Sequence, residues 1–90
     1  MTEVALRAVI KGTGSALPRS RISNAELANR VDTTDAWITE RTGIKFRHIA
    51  EADETTSSLA IEASRKALDA ASMAASDIDL IILATATPDQ

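Results

Sequence analysis

Five apolar residues stand in a row near the end of the chain, Leu80-Ile-Ile-Leu-Ala84. A strand with one wet face alternates apolar and polar side chains, whereas an unbroken run of this kind suits a strand covered on both faces of a parallel sheet. Such a strand needs a neighbour along each edge and helices over both faces. Little in the remaining residues can supply that. Hydrophobic side chains make up 44% of the 90 residues, but seventeen of them are alanine and only Trp37 and Phe46 are aromatic. A chain of this length buries roughly 60% of its unfolded surface, and small side chains return little from it. The expectation is an α/β chain that forms part of a larger body, or a small domain completed by association.

The other elements follow from periodicity. Val4, Leu6, Ala8 and Ile10 fall on one face of a strand over Val4–Lys11, which Gly12-Thr-Gly14 and Pro18 end. Ser23-Asn-Ala-Glu26 has the spacing of a capping box, with Ile22 and Leu27 at the staple positions, and opens a helix from Asn24 to about Val31. Thr33 or Thr34 can cap a second, shorter helix that ends at Gly43, with acidic residues at its start and Arg41 near its end. Residues 44–50 alternate as a short strand. From Thr56 to about Met73 the residues Ala60, Ile61, Ser64, Ala67, Leu68 and Ala71 recur at helical spacing, opposite Glu62, Arg65, Lys66 and Asp69. A stripe so rich in alanine and serine buries little area, but it lets another backbone come close. After a connector at Ala74–Asp77, the apolar run belongs to a strand over Ile78–Thr87.

Charge excludes some roles. The net charge of −3 divides into a first half, residues 1–50, with eight basic and five acidic side chains, and a remainder with two and eight. A general positive field for nucleic acid is absent. There is no cysteine, so these residues hold no disulfide, thiolate metal site or cysteine nucleophile. No apolar run approaches the ~20 residues of a membrane helix, and the first residues lack a secretory signal layout. The expectation is a cytoplasmic chain with no nucleic-acid or membrane partner. An acidic, solvated second half is the plain account of the asymmetry; the sharper one is that the basic half meets an anionic ligand.

Several constellations invite chemistry. Gly12-Thr-Gly14 after a strand suggests a nucleotide loop, but Leu17 stands where the third small residue should be, and Pro18 argues against a helix opening there. A turn is the better account. Thr33, Trp37 and Arg41 lie at i, i+4 and i+8, so one continuous helix would align them. An indole offers a platform on which a nucleobase can stack, and a guanidinium one turn away can grip phosphate oxygens. From spacing alone, a core role for Trp37 and a helix-end role for Arg41 is the stronger reading. His48 has no carboxylate or hydroxyl at a spacing that would fix its tautomer, so a structural histidine is the safer reading. No metal site and no nucleophile paired with a base stands out.

The stretch Val31-Asp-Thr-Thr-Asp-Ala-Trp-Ile-Thr-Glu-Arg-Thr-Gly-Ile44, with Arg47-His-Ile49 behind it, resembles the start of β-ketoacyl-ACP synthase III. The similarity continues upstream through Gly12-Thr-Gly-Ser15, Leu17-Pro18 and Asn24-Ala-Glu-Leu27. Downstream it takes in Glu54-Thr55, Ser57, the alanine-rich helix and Asp79-Leu-Ile-Ile-Leu-Ala-Thr85. The resemblance implies a thiolase-like fold of layered αβαβα architecture, with a parallel or mixed sheet and helices on both faces. It implies that residues 1–90 are the N-terminal part of the first thiolase-like half, an incomplete domain.

The family transfers an acyl group from acyl-CoA to a cysteine and condenses it with malonyl-acyl carrier protein by decarboxylative Claisen chemistry, usually as a homodimer. The resemblance implies those two substrates and no separate cofactor or metal. It assigns Trp37 to stacking on the CoA adenine, Arg41 and Thr42 to phosphate and pantetheine contacts, and Thr33 to a polar contact near the base. This reverses the preference drawn from spacing. The family's cysteine, histidine and asparagine lie further along than Gln90, so no catalytic residue is expected within these 90. Two rivals stay open: a related thiolase-fold acyltransferase of polyketide or quinolone assembly, and a non-catalytic module that binds CoA or another protein.

Overall fold

The computed structural model describes residues 6–89. Its elements in chain order are β1 (Ser20–Ser23), α1 (Asn24–Ala28), α2 (Asp35–Thr42), β2 (Phe46–Ile49) and α3 (Thr56–Ala71), followed by a 3-10 turn at Ala75–Asp77. Local signals explain where the helices begin and end. Ser23 Oγ accepts from the Glu26 N–H at 3.2 Å and the Glu26 carboxylate accepts from the Ser23 N–H at 3.4 Å, which closes the expected capping box. Thr34, rather than Thr33, caps α2 by accepting from the Trp37 N–H at 3.1 Å. Gly43 ends that helix with φ 71°, the left-handed conformation that glycine adopts without steric cost. At α3 a second capping box joins Thr55 and Ser58, and Glu62 pairs with Lys66 at 3.4 Å across one helical turn.

β1 and β2 form an antiparallel pair, with Ser20 opposite Ile49 and Ser23 opposite Phe46. β1 was not expected: Ser-Arg-Ile-Ser is too short and polar to show a pattern, and its pairing with β2 makes the strand. The pleat turns Ile22, Arg47 and Ile49 to one side and Arg21, Phe46 and His48 to the other. Phe46 is left about half exposed, with the Arg21 guanidinium carbon 3.9 Å from its ring centroid. Among the described residues Ile22 and Ile38 are the buried large apolar side chains, and Asn24 is the fully buried polar one. β1, α1, α2 and β2 thus close on themselves around a small nucleus.

The glycine pair is not a simple turn. Residues 12–14 lie against α3, where an added Cβ at Gly12 would stand 2.6 Å from the Ala67 carbonyl oxygen and 2.8 Å from the Ala71 nitrogen. At Gly14 it would stand 2.2 Å from the Ala63 carbonyl oxygen and 2.6 Å from the Ala67 nitrogen. The covered stripe of α3 therefore runs through Ala63, Ala67 and Ala71, rotated slightly from the expected one, and leaves Ile61 and Ser64 exposed. Its small side chains do admit a backbone, as their composition suggested.

Two expected strands are not formed among the described residues. Val4 lies outside them, and from Leu6 to Lys11 the chain is without strand pairing; Ile78–Thr87 likewise makes no ladder. A strand exists only through hydrogen bonds to a neighbour, and neither segment meets one here. Ile10 and the Leu80–Leu83 run are accordingly among the exposed large hydrophobic residues. The observed sheet is antiparallel and two-stranded rather than parallel. The molecule extends 65 × 31 × 23 Å, with a radius of gyration of 18.8 Å, against about 12 Å for a compact chain of this length.

Opposite charges tie the two halves of the sequence together. Arg19 Nη2 lies 2.7 Å from Glu51 and 2.6 Å from Asp53. The Arg19 backbone N–H donates to the Glu54 carboxylate at 3.1 Å, and that carboxylate also accepts from the Glu51 N–H at 3.0 Å. The hydrogen bond from Arg19 holds the Asp53 carboxyl below its ordinary range. At the other end of the chain, Asp89 accepts from the Ser57 hydroxyl and Thr87 from that of Thr56, joining residues 87–89 to the start of α3. The Ser57 hydrogen bond lowers the Asp89 carboxyl in the same way.

Candidate functional site

The residues singled out by sequence gather along α2 and the turn before it. Trp37 is 53% exposed, whereas its neighbour Ile38 is only 6% exposed. The core anchor that spacing favoured for the indole is thus Ile38. One helical turn on, the Arg41 guanidinium carbon stands 4.8 Å from the Trp37 ring centroid, a cation–π contact worth about 0.5–1 kcal/mol at an exposed position. Arg41 is also the basic residue of the last turn of α2, where the helix dipole favours it. Arg41 therefore serves the helix end and stacks on the indole at once.

Thr33 does not continue the helical row, because α2 begins at Asp35. The chain nevertheless returns it to the same place: Asp32, Thr33, Thr34 and Trp37 line one recess of about 260 Å³. An adjoining recess of about 330 Å³ is walled by Leu27, Thr33, Trp37, Ile38, Thr42 and Arg47, among others. The Thr33 hydroxyl oxygen is buried without a hydrogen-bond partner, and so is Arg47 Nε. The Thr42 hydroxyl donates to the Ile38 carbonyl at 2.8 Å and accepts from the Ile44 N–H at 3.0 Å. Its single proton is spent, so toward a ligand it could only accept.

The structure brings Thr33, Trp37 and Thr42 to one concavity, with Arg41 stacked at its edge. Aromatic surface, a cation stacked on it and shielded polar atoms suit a ligand that has both a flat ring and anionic or polar groups. His48 sits in β2, opposite Arg21 and on the other face of the ladder from Arg47. On the far face of α2 lies a different hollow, lined by Asn24, Asp35, Thr39, Glu40, Lys45 and Phe46.

Two residues of this region escaped the sequence reading. Arg47 belongs to the motif by sequence, and its strand position alone does not show that it points inward. Asn24 is the first residue of α1, as its sequence context indicates, and it is also 1% exposed. Its signal was weak: a lone amide directly after a capping serine.

No protein-family profile matches the chain. Among characterised proteins it is 70% identical over 83 residues to a β-ketoacyl-[acyl-carrier-protein] synthase III of Sphingopyxis alaskensis, covering 92% of this chain and 26% of that protein. It is 66% identical over 87 residues to the synthase of the same name from Novosphingobium aromaticivorans, covering 97% and 27%. The chain therefore spans about a quarter of the length of the curated relatives it matches. Among solved structures, the priming β-ketosynthase from the R1128 polyketide biosynthetic pathway superposes with a TM-score of 0.75 at 40% identity, over 88% of this chain and 25% of that one. The 3-oxoacyl-[acyl-carrier-protein] synthase III of Aquifex aeolicus gives a TM-score of 0.66 at 47% identity, over 71% and 20%. In sequence and in fold the chain is thus similar to about a quarter of β-ketoacyl-[acyl-carrier-protein] synthase III, and its α/β fold is part of the thiolase-like architecture.

Proposed function

We propose that this chain contributes one wall of the acyl-CoA entrance of a condensing enzyme that initiates fatty-acid synthesis, with residues 1–90 forming the start of the first thiolase-like half. The observation that carries the reading is the exposed Trp37, stacked by Arg41 and set beside Thr33 and Thr42 in a single recess, on a chain that shares 70% identity with a β-ketoacyl-[acyl-carrier-protein] synthase III. In this reading the free face of the Trp37 indole stacks on the adenine. Arg41, already stacked over the ring, supplies positive charge for phosphate oxygens. Thr33 and Thr42 contribute polar contacts, Thr42 as an acceptor.

The enzyme so formed takes an acyl group from acyl-CoA, condenses it with malonyl-acyl carrier protein, and works in the cytoplasm as a homodimer. The acyl-accepting cysteine of that reaction is not among these 90 residues.

A graft tests the reading. The chain replaces the matched stretch of the Sphingopyxis alaskensis synthase, and the hybrid is assayed with acetyl-CoA and malonyl-acyl carrier protein. Condensation is expected to be retained. Trp37→Ala in the hybrid should raise KM for acetyl-CoA by roughly 10- to 100-fold, the loss of a stacked base, while its thermal unfolding stays near that of the parent. An unchanged KM would refute the assignment of Trp37. A second reading, a priming enzyme of polyketide assembly, is favoured by the 0.75 TM-score to such a ketosynthase. Preference of the natural protein for an acceptor other than the fatty-acid carrier protein would select it.

A further inference from the structure

We infer that Asn24 is the positioning residue of the Trp37 recess, setting the spacing between its two walls without touching what binds there; this rests on the reading of the recess as an acyl-CoA entrance. Asn24 is 1% exposed, and its side chain is fully engaged. The amide nitrogen donates to the Ile44 carbonyl at 2.7 Å and to Asp35 Oδ1 at 2.9 Å, with the Thr39 hydroxyl at 3.3 Å. The amide oxygen accepts from Arg47 Nη2 at 2.8 Å, and the backbone N–H donates to the Lys45 carbonyl at 3.1 Å. One small group therefore grips the first turn of α2, the exit from that helix, and β2.

These are the pieces that bound the recess. Trp37, Ile38 and Thr42 line it from α2, and Ile44 and Arg47 line it from the segment that follows that helix. Asn24 itself lines the hollow on the other side of α2, so any influence on a ligand passes through the walls it holds. No other side chain of this size can replace it. Aspartate lacks both donors and would stand against Asp35. Leucine would leave Asp35, Ile44 and Arg47 without their shared partner, and a buried polar group left unpaired is costly.

The experiment uses the grafted synthase with acetyl-CoA as the varied substrate. Asn24→Asp and, separately, Asp35→Ala should each raise KM for acetyl-CoA about tenfold with kcat within about twofold, because binding geometry and not chemistry is disturbed. KM for malonyl-acyl carrier protein should not move. The Asn24→Asp/Asp35→Asn double variant restores a donor–acceptor pair between the two positions and should recover most of the lost KM. Folded variants that lower the unfolding midpoint but leave KM for acetyl-CoA unchanged would overturn the inference and make Asn24 purely structural. If Asn24→Asp does not fold, Asp35→Ala decides alone, since Asp35 is an exposed residue. Trp37→Ala separates the two levels: an effect of Trp37→Ala with none from Asn24 or Asp35 sinks only this inference, whereas no effect of Trp37→Ala sinks the reading on which it rests.

Discussion

Gly14→Ala sets two physical effects of opposite sign against each other. In a backbone that tolerates it, replacing glycine by alanine stabilises a fold by about 0.4–1 kcal/mol, because the unfolded chain loses freedom. Here the new methyl would sit 2.2 Å from the Ala63 carbonyl oxygen, 2.6 Å from the Ala67 nitrogen and 2.9 Å from Lys66 Cβ. The first two are helix backbone, so no side chain can swing aside. Ordinary contact needs about 3.5 Å, so α3 and residues 12–14 must separate by on the order of 1 Å, a gap that forfeits a quarter to a half of each contact well along the stripe. Overpacking of this kind costs about 1–3 kcal/mol, which outweighs the entropic gain. Urea unfolding followed by helical circular dichroism should show a midpoint lowered by roughly 0.5–2 M, taking a slope of about 1–3 kcal/mol per M. A midpoint that stays put or rises would refute the close approach of the glycine pair to α3.

Two further outcomes follow from local structure. Thr34→Ala removes the acceptor of the Trp37 N–H and should cost about 1 kcal/mol, read as a lower unfolding midpoint, whereas Thr33→Ala should leave the cap intact. The Asp53 carboxyl, lowered by its hydrogen bond from Arg19, favours the folded state when ionised. That contribution is complete above the unfolded carboxyl pKa of about 3.9 and is lost as pH falls through the lower folded value. A carboxyl-detected NMR titration should place Asp53 below an ordinary aspartate, and Arg19→Gln should return it to the usual range.

Local chemistry was legible; partnership was not. The Ser23–Glu26 box, the helix end at Gly43 and the extent of α3 were all readable because each depends on residues within a turn or two. β1 was invisible because four residues, Ser-Arg-Ile-Ser, carry no period, and only β2 makes them a strand. The patterns at Leu6–Ile10 and Leu80–Leu83 are those of strands, but neither segment meets a neighbour among the described residues, so no ladder forms there. Gly12, Gly14 and the alanine stripe were each noticed, yet nothing in one dimension says that two such features belong together. At the candidate site, Thr33, Trp37 and Arg41 stand out through helical spacing, and Thr42 through resemblance alone. Asn24 does not, since a buried amide announces itself only through the four groups that converge on it.

The contacts of Asn24 span 11 to 23 residues of sequence, while Arg19 reaches 35 residues ahead to the Glu54 carboxylate. The cost of closing a loop rises with its length. The shorter closures favour collapse of the β1–β2 unit around its amide, with docking of α3 on the glycine pair expected afterwards. Amide hydrogens of α2 should consequently exchange more slowly than those of α3, whose grip depends on residues far away in the chain.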